Sequence, residues 1–326
     1  MKILITGAKG MLAQAVRERF LMDAEGSENE LILTDVVPGE IEVLRGETVE
    51  RIATIGLDIT DYEAVKRVVS EMQPELIINC AAYTNVDAAE LNAELAEKIN
   101  ADGPANLAKM AKETNAILVH ISTDYVFGGM KPVTEQYSED DPKDPQSVYG
   151  ITKLHGEEQI AENTERFYIF RTAWLYGQGH NFVRTMLSAA RSHDEVTVVN
   201  DQHGSPTYAE DLADIIFQAV SKNIPFGVYN ATNLGFTTWA EFTEEIYRQA
   251  GVNCKVVGVS SEEYEDQAMT RAAKEGKEYR VAPRPKNSQM SKQKLLDAGV
   301  VIREWDEALA EYLKDEQRAA DAVLDN

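Results

Sequence analysis

The chain opens with a short apolar run, Lys2-Ile-Leu-Ile-Thr6, that breaks at once into Gly7-Ala-Lys-Gly10-Met-Leu-Ala13. This junction restricts the fold more than any other feature. Residues 2–6 read as a buried parallel strand, Gly7 to Gly10 as a turn, and Met11 to Phe20 as a helix. Gly7 permits the tight turn, Gly10 lets the backbone approach a pyrophosphate, and Ala13 is small enough to pack helix on strand. The first helical turn also offers unpaired N–H groups and a positive partial charge to an anion. An ordinary glycine-rich turn is the bland reading, but the place of this one at the head of an α/β pattern favours dinucleotide binding.

The pattern continues through the first half of the chain. Leu31-Ile-Leu-Thr-Asp35 is a second strand ending in an acid, and a third strand is expected within 36–56. Asp61 to Met72 reads as a helix with Asp61 as its N-cap. Strands at 75–79, 116–121 and 167–171 alternate with helices near 92–115 and 149–163. This implies an α/β fold with a Rossmann-type doubly wound parallel sheet. Past residue 175 the alternation loosens into short strands and Pro- and Gly-bearing loops. Residues 1–175 are therefore read as an NAD(P)-binding domain. Residues 176–326 are read as a smaller, mostly substrate-binding region, some of whose segments return to the main sheet. The charged stretch 262–280 reads equally as a mobile loop over the cleft or as a solvated helix.

Composition narrows the partners. The chain has 326 residues, 44% of them apolar, which is enough for a full core. Lys and Arg number 32 against 55 Asp and Glu, a net charge of −23. That balance argues against nucleic acid or an anionic membrane surface as the main partner. It also means that an anionic ligand must be held by local donors. Two distant cysteines, Cys80 and Cys254, make no disulfide framework and no metal-ligand spacing. No apolar run reaches membrane-spanning length and no signal peptide precedes the first strand, so a cytoplasmic protein is expected.

Chemistry enters with Tyr149-Gly-Ile-Thr-Lys153. A Tyr and a Lys four apart share one side of a helix. A nearby ammonium favours the phenolate, so such a Tyr can give or take a proton at neutral pH. A surface pair is the bland reading of the motif alone. Ser122-Thr123-Asp124-Tyr125 follows a strand whose carboxyl end should face the ligand crevice, where a hydroxyl could bond a substrate carbonyl beside Tyr149. Asp35 is placed to bond the adenosine ribose and leans toward NADH over NADPH. Asp58-Ile59 reads equally as an adenine contact or, through Asp58, as a helix cap. Asn79-Cys80-Ala81-Ala82 ends a strand with side chains small enough to lie against a cofactor.

Taken together, these segments resemble the dTDP-4-dehydrorhamnose reductases, a branch of the extended short-chain dehydrogenases/reductases. The resemblance spans about residues 1–315. Besides the two motifs above it rests on Asn79-Cys-Ala-Ala-Tyr-Thr-Asn-Val-Asp87, Ser122-Thr-Asp-Tyr-Val-Phe-Gly128, Arg171-Thr-Ala-Trp-Leu-Tyr-Gly177, Asn200-Asp-Gln-His-Gly-Ser-Pro-Thr207 and Arg284-Pro-Lys-Asn-Ser288. It implies NAD(P)H-dependent reduction of the C4 ketone of dTDP-4-dehydro-L-rhamnose to dTDP-L-rhamnose, a precursor of cell-surface polysaccharide. It implies that Gly10, Met11, Leu12, Asp35, Asp58, Ile59, Ala81, Ala82 and Tyr83 line the cofactor. By the same comparison Thr123, Asp124 and Trp174 meet the sugar, Tyr149 donates the proton and Lys153 is its partner. Arg284 could pair with the substrate diphosphate or form a surface salt bridge. Metal-dependent dimers of the family carry an early Glu as a Mg²⁺ ligand. Here Ala15 stands in that place although Glu210 matches a second acidic position, which puts Mg²⁺ in doubt and leaves a monomer or a homodimer open.

Four other readings share some or all of the motifs. A 4,6-dehydratase needs a second carboxylate after Asp124, where this chain has Tyr125. A 4-epimerase or another nucleotide-sugar 4-ketoreductase would use the same Tyr and Lys. A non-catalytic regulatory subunit, like the β subunit of methionine adenosyltransferase, would bind the cofactor without turnover.

Overall fold

The computed structural model describes residues 1–21, 29–45, 48–274 and 281–324. Strand β1 (Lys2–Thr6) lies inside an eight-stranded sheet with β2 (Glu30–Asp35), β3 (Gly39–Arg45), β4 (Thr48–Gly56), β5 (Leu76–Asn79), β6 (Ile117–Thr123), β7 (Phe167–Thr172) and β8 (Gly227–Asn230). Their order is β8-β7-β6-β5-β1-β2-β4-β3. All neighbours pair parallel except β3 with β4. The order reverses beside β1, and ligands of open α/β sheets bind at such a reversal, outside the carboxyl ends of the strands.

Side chains alternate across the sheet with period two, and the apolar residues follow suit. Ile3, Ile5, Leu33, Ile78, Val119 and Phe170 face α1 (Met11–Leu21) and the helix Ala209–Ser221, meeting Val16, Phe20, Leu212 and Ile216. Leu4, Ile32, Ile77, Leu118 and Ile169 face the other way. They pack on Val65 and Val69 of α2 (Tyr62–Met72), Leu107 and Ala111 of α3 (Gly103–Thr114), and Ile160 of α4 (Val148–Asn163). Burial on both faces is why these strands read as continuous apolar runs.

A third core is largely aromatic. Tyr176, Tyr208, Phe242, Tyr247 and Tyr312 gather there, with Tyr176 stacked on Tyr208 at 5.5 Å between ring centroids. Residues 195–199 and 255–259 form a separate parallel pair.

Two elements differ from the reading of the sequence, and a third matches one of its two alternatives, the helix. Residues 36–56 hold two strands, not one: β3 folds back antiparallel on β4 and makes the sheet edge. The helix expected near 92–115 is interrupted by a π turn at Lys98–Asp102, directly before Pro104, which has no backbone N–H to give to a regular ladder. Residues Ser261–Lys274 form a helix, and 275–280 lie outside the described residues. The helix is anchored at its start by Asp201, whose Oδ1 accepts from the N–H and the hydroxyl of Ser261 at 2.9 and 2.6 Å.

Candidate active site

A cleft of about 760 Å³ runs along the carboxyl ends of the central strands. At its middle, Gly7 has φ +60°, and a Cβ added there would stand 2.8 Å from the Ala81 nitrogen. Only glycine fits that turn. Gly10 N–H donates to the Gly7 carbonyl at 2.9 Å, and Met11 and Leu12 then open α1 toward the cleft. Ala13 is fully buried under the turn. Gly7, Gly10, Met11 and Leu12 line the cleft where the N-terminus of α1 opens, so the residues fit the diphosphate of a dinucleotide.

At one end, Asp35, Asp58 and Ile59 line the cleft. The Asp35 carboxylate accepts from the Lys9 N–H at 3.1 Å. Asp58 accepts from the N–H and the hydroxyl of Thr60 at 2.9 and 2.8 Å, while the cap of α2 is Asp61. Ala81 and Ala82 line the middle. Tyr83 stands outside the lining, its backbone held by Asn100 at 2.8 and 3.1 Å.

At the other end stand Thr123, Asp124, Tyr149, Lys153 and Trp174. Ser147 caps α4 by accepting from Gly150 N–H at 3.1 Å, which sets where the helix starts and hence where Tyr149 stands. Gly150 lets the helix approach the 124–126 turn, for a Cβ there would meet the Tyr125 carbonyl at 2.4 Å. The Tyr149 phenol lies within reach of the Thr123 side chain, and both line the cleft. Thr123 also donates to Asp124 at 2.9 Å, and Ser288 donates to the other Asp124 oxygen at 2.5 Å.

The electrostatics depart from the expectation of a lowered phenol. Burial pushes Tyr149 up to about 12, against the neighbouring Thr123 side chain, and the Asp124 charge adds to the rise. Burial likewise lowers Lys153 to about 8 and raises Asp124 to about 6. Desolvation is the largest cause at all three groups. A phenol held protonated is suited to give a proton to a substrate oxygen.

Ser122 lines the cleft beside Thr123. Its hydroxyl donates to Glu157 at 2.5 Å, away from Tyr149, so Thr123 is the hydroxyl beside the phenol.

Trp174 stands at the junction with a second cleft of about 330 Å³, whose lining includes Phe182, Met186, Trp239, Tyr264 and Arg284. Asp124 and Tyr125 border both clefts. Trp174 has φ +49°, a left-handed backbone that a bulky residue adopts only at a cost. Its ring stacks on Trp239 at 3.8 Å. Neither the backbone of Trp174 nor the partnership with Trp239 carries a sequence signal. Arg284 pairs with Asp87 at 2.8 Å on the wall of the second cleft.

Ala15, Glu18, Glu210, Asp211, Asp214 and Asp315 share a third cleft. Among the described residues no three His, Cys, Asp or Glu side chains converge on a metal-sized site. Among them, too, no helix is long and apolar enough to cross a membrane.

A doubly wound sheet, a glycine turn at its reversal and a Tyr–Lys helix beside it define a dinucleotide-dependent oxidoreductase of the short-chain type. The chain belongs to the RmlD family, whose model, described as RmlD substrate binding domain, matches residues 1–318. A dTDP-4-dehydrorhamnose reductase of Streptomyces griseus is 37% identical over 94% of this chain and 91% of its own length. A crystal structure of a dTDP-4-dehydrorhamnose reductase from Clostridium acetobutylicum has TM-score 0.83 and 40% identity, covering 97% of this chain and 100% of that one. The enzyme of the same name from Bacillus anthracis, solved in complex with NADP, has TM-score 0.81 and 34% identity, covering 96% and 99%.

Proposed function

We propose that this protein reduces the C4 ketone of dTDP-4-dehydro-L-rhamnose to dTDP-L-rhamnose, using NADH or NADPH. The observation that carries this reading is the convergence of Thr123, Tyr149 and Lys153 in the glycine-turn cleft, where it meets the Trp174 cleft. The names of the relatives support the substrate.

Gly7, Gly10, Met11 and Leu12 would hold the cofactor diphosphate, Asp35 its adenosine ribose, and Asp58 and Ile59 the adenine. Ala81 and Ala82 would flank it. The reduced dinucleotide, when bound, supplies the hydride. Thr123 and Tyr149 bind the ketone oxygen, and Tyr149 gives it a proton as negative charge develops there. Lys153 as an ammonium then stabilises the phenolate left behind. Trp174 offers a flat apolar face to the deoxysugar, and Asp124 accepts from a sugar hydroxyl. Arg284 would turn from Asp87 to the substrate diphosphate. The protein works as a monomer or a homodimer in the cytoplasm.

The test is oxidation of NADH or NADPH in the presence of the keto sugar nucleotide. Turnover that consumes one reduced cofactor per sugar supports a reductase. Conversion with no net consumption of cofactor would make it an epimerase, and cofactor binding without conversion a regulatory subunit.

A further inference from the structure

Beneath the cleft, three neighbouring strands place three polar side chains in one row. The register pairs Thr6 of β1 with Asn79 of β5, and Asn79 with His120 of β6. Their exposures are 1%, 1% and 0%. Thr6 Oγ1 donates to Asn79 Oδ1 at 2.6 Å. Asn79 Nδ2 lies 3.0 Å from His120 Nδ1, and His120 Nε2 lies 3.2 Å from Lys153 Nζ. Lys153, itself 2% exposed, also donates to the Ile121 carbonyl at 2.5 Å. A buried polar row is costly unless each member is satisfied, so its proton positions can be worked out.

The backbone N–H of Ala81 fixes them. It can only donate, and it points at Asn79 Oδ1 at 3.2 Å. Oδ1 is therefore the acceptor, and Nδ2 donates to His120 Nδ1. A neutral imidazole that accepts at Nδ1 carries its proton on Nε2. That proton faces Lys153 Nζ. An uncharged amine accepts it, whereas an ammonium would set two donors against each other at 3.2 Å.

We infer that the row Thr6–Asn79–His120 is a positioning device that sets the protonation of Lys153, with the His120 Nε2–H favouring the neutral amine. This rests on the reading of Tyr149 and Lys153 as the proton-handling pair. The other groups acting on Lys153 are Glu157 on its own helix and Cys80 at the end of β5, with Arg17 of α1 beyond Cys80; Tyr149, one turn earlier on the helix, lines the same cleft. Glu157 works in the opposite sense, favouring the ammonium, and is itself held by Arg171. The row also ties Lys153 to Ala81, a residue of the dinucleotide cleft, so ligand pressure on that backbone reaches the lysine through hydrogen bonds.

The first test needs no turnover. Protein labelled with ¹⁵N-histidine, with the His120 signals assigned by their loss in His120→Asn, is examined by long-range proton–nitrogen correlation near pH 9, above the value of about 8 at which Lys153 loses its charge. A neutral ring protonated on Nε2 is the expected result. The Nδ1–H tautomer or an imidazolium overturns the inference, whether or not the protein is a reductase. The second test is the pH profile of kcat. His120→Phe removes the opposing donor, so the alkaline fall in kcat should move up by about one pH unit. His120→Gln, whose amide can accept from Asn79 and donate to Lys153, should keep the wild-type position. A fall that stays in place or moves down in His120→Phe contradicts the proposed role. If that variant does not fold, the tautomer measurement on wild type still decides the question. Absence of turnover in wild type would count against the reductase reading and leave the tautomer result standing.

Discussion

Arg171 and Glu157 meet in a two-pronged ion pair, at 2.9 and 2.6 Å, with side-chain exposures of 2% and 5%. The pair ties β7 to the helix that carries Tyr149 and Lys153, and Glu157 lies one further turn along the same stripe. Ser122 adds a third bond to Glu157. Arg171→Met would leave a buried carboxylate without its partner, a loss of about 3–5 kcal/mol. Arg171→Met together with Glu157→Leu should recover most of it. Urea unfolding of wild type, single and double variants checks this. A single variant within about 0.5 kcal/mol of wild type would show that the pair does not brace the helix.

Lys153 should cost the fold stability while serving the site. Its pKa falls from 10.5 to about 8 on burial. The unfolded chain thus binds more protons between those values, and wild-type stability rises with pH across that window. Lys153→Met removes a cost of about 3 kcal/mol and loses a hydrogen bond worth about 1. The variant should be more stable by about 2 kcal/mol below pH 8, with the margin shrinking toward pH 10.5. Unfolding midpoints at pH 7 and pH 10 read this out. A margin that grows with pH contradicts it.

Asp35 should govern the choice of cofactor. Its carboxylate, placed by the Lys9 N–H, suits a ribose diol and opposes a 2′-phosphate. Asp35→Ala should raise KM for NADH about tenfold, the value of a hydrogen bond to a charged group, and leave KM for NADPH equal or lower. An unchanged ratio between the two would remove Asp35 from the ribose site.

Trp174 should act on the sugar nucleotide alone. Its stack on Trp239 and its left-handed backbone place the ring at the junction of the two clefts. Trp174→Ala should raise KM for the sugar nucleotide about tenfold, in line with the loss of an aromatic face. KM for the dinucleotide should stay near wild type. Equal effects on both would point to collapse of the wall between the clefts.

The parts of the site that could be read from the chain are those written in local spacing. Gly7 to Ala13 and Tyr149 to Lys153 each lie on one turn or helix, so periodicity and residue type suffice. What stayed hidden depends on pairs far apart in sequence. Thr6 and Asn79 are 73 residues apart, and Asn79 and His120 are 41 apart. Strand register alone brings them into a row, and no local pattern marks that register. Ser122 and Thr123 looked alike as adjacent hydroxyls, yet strand alternation turns one toward Glu157 and the other toward Tyr149. The protonation of the phenol is not legible in the chain, because a neighbouring Lys is visible in sequence and the depth of burial is not. The β3–β4 hairpin escaped because an edge strand with one exposed face lacks the apolar run of the central strands.

The most direct measurement is single-turnover reduction of the keto sugar by Tyr149→Phe, alongside titration of the same variant with the reduced dinucleotide. Phenylalanine keeps the ring and its 5.5 Å edge contact with Tyr125 while removing the hydroxyl beside Thr123. Cofactor affinity should stay within about threefold of wild type, and the chemical step should slow by at least about 100-fold, the usual loss when a general acid is removed. A rate near that of wild type, with the cofactor still bound, would contradict the role assigned to Tyr149.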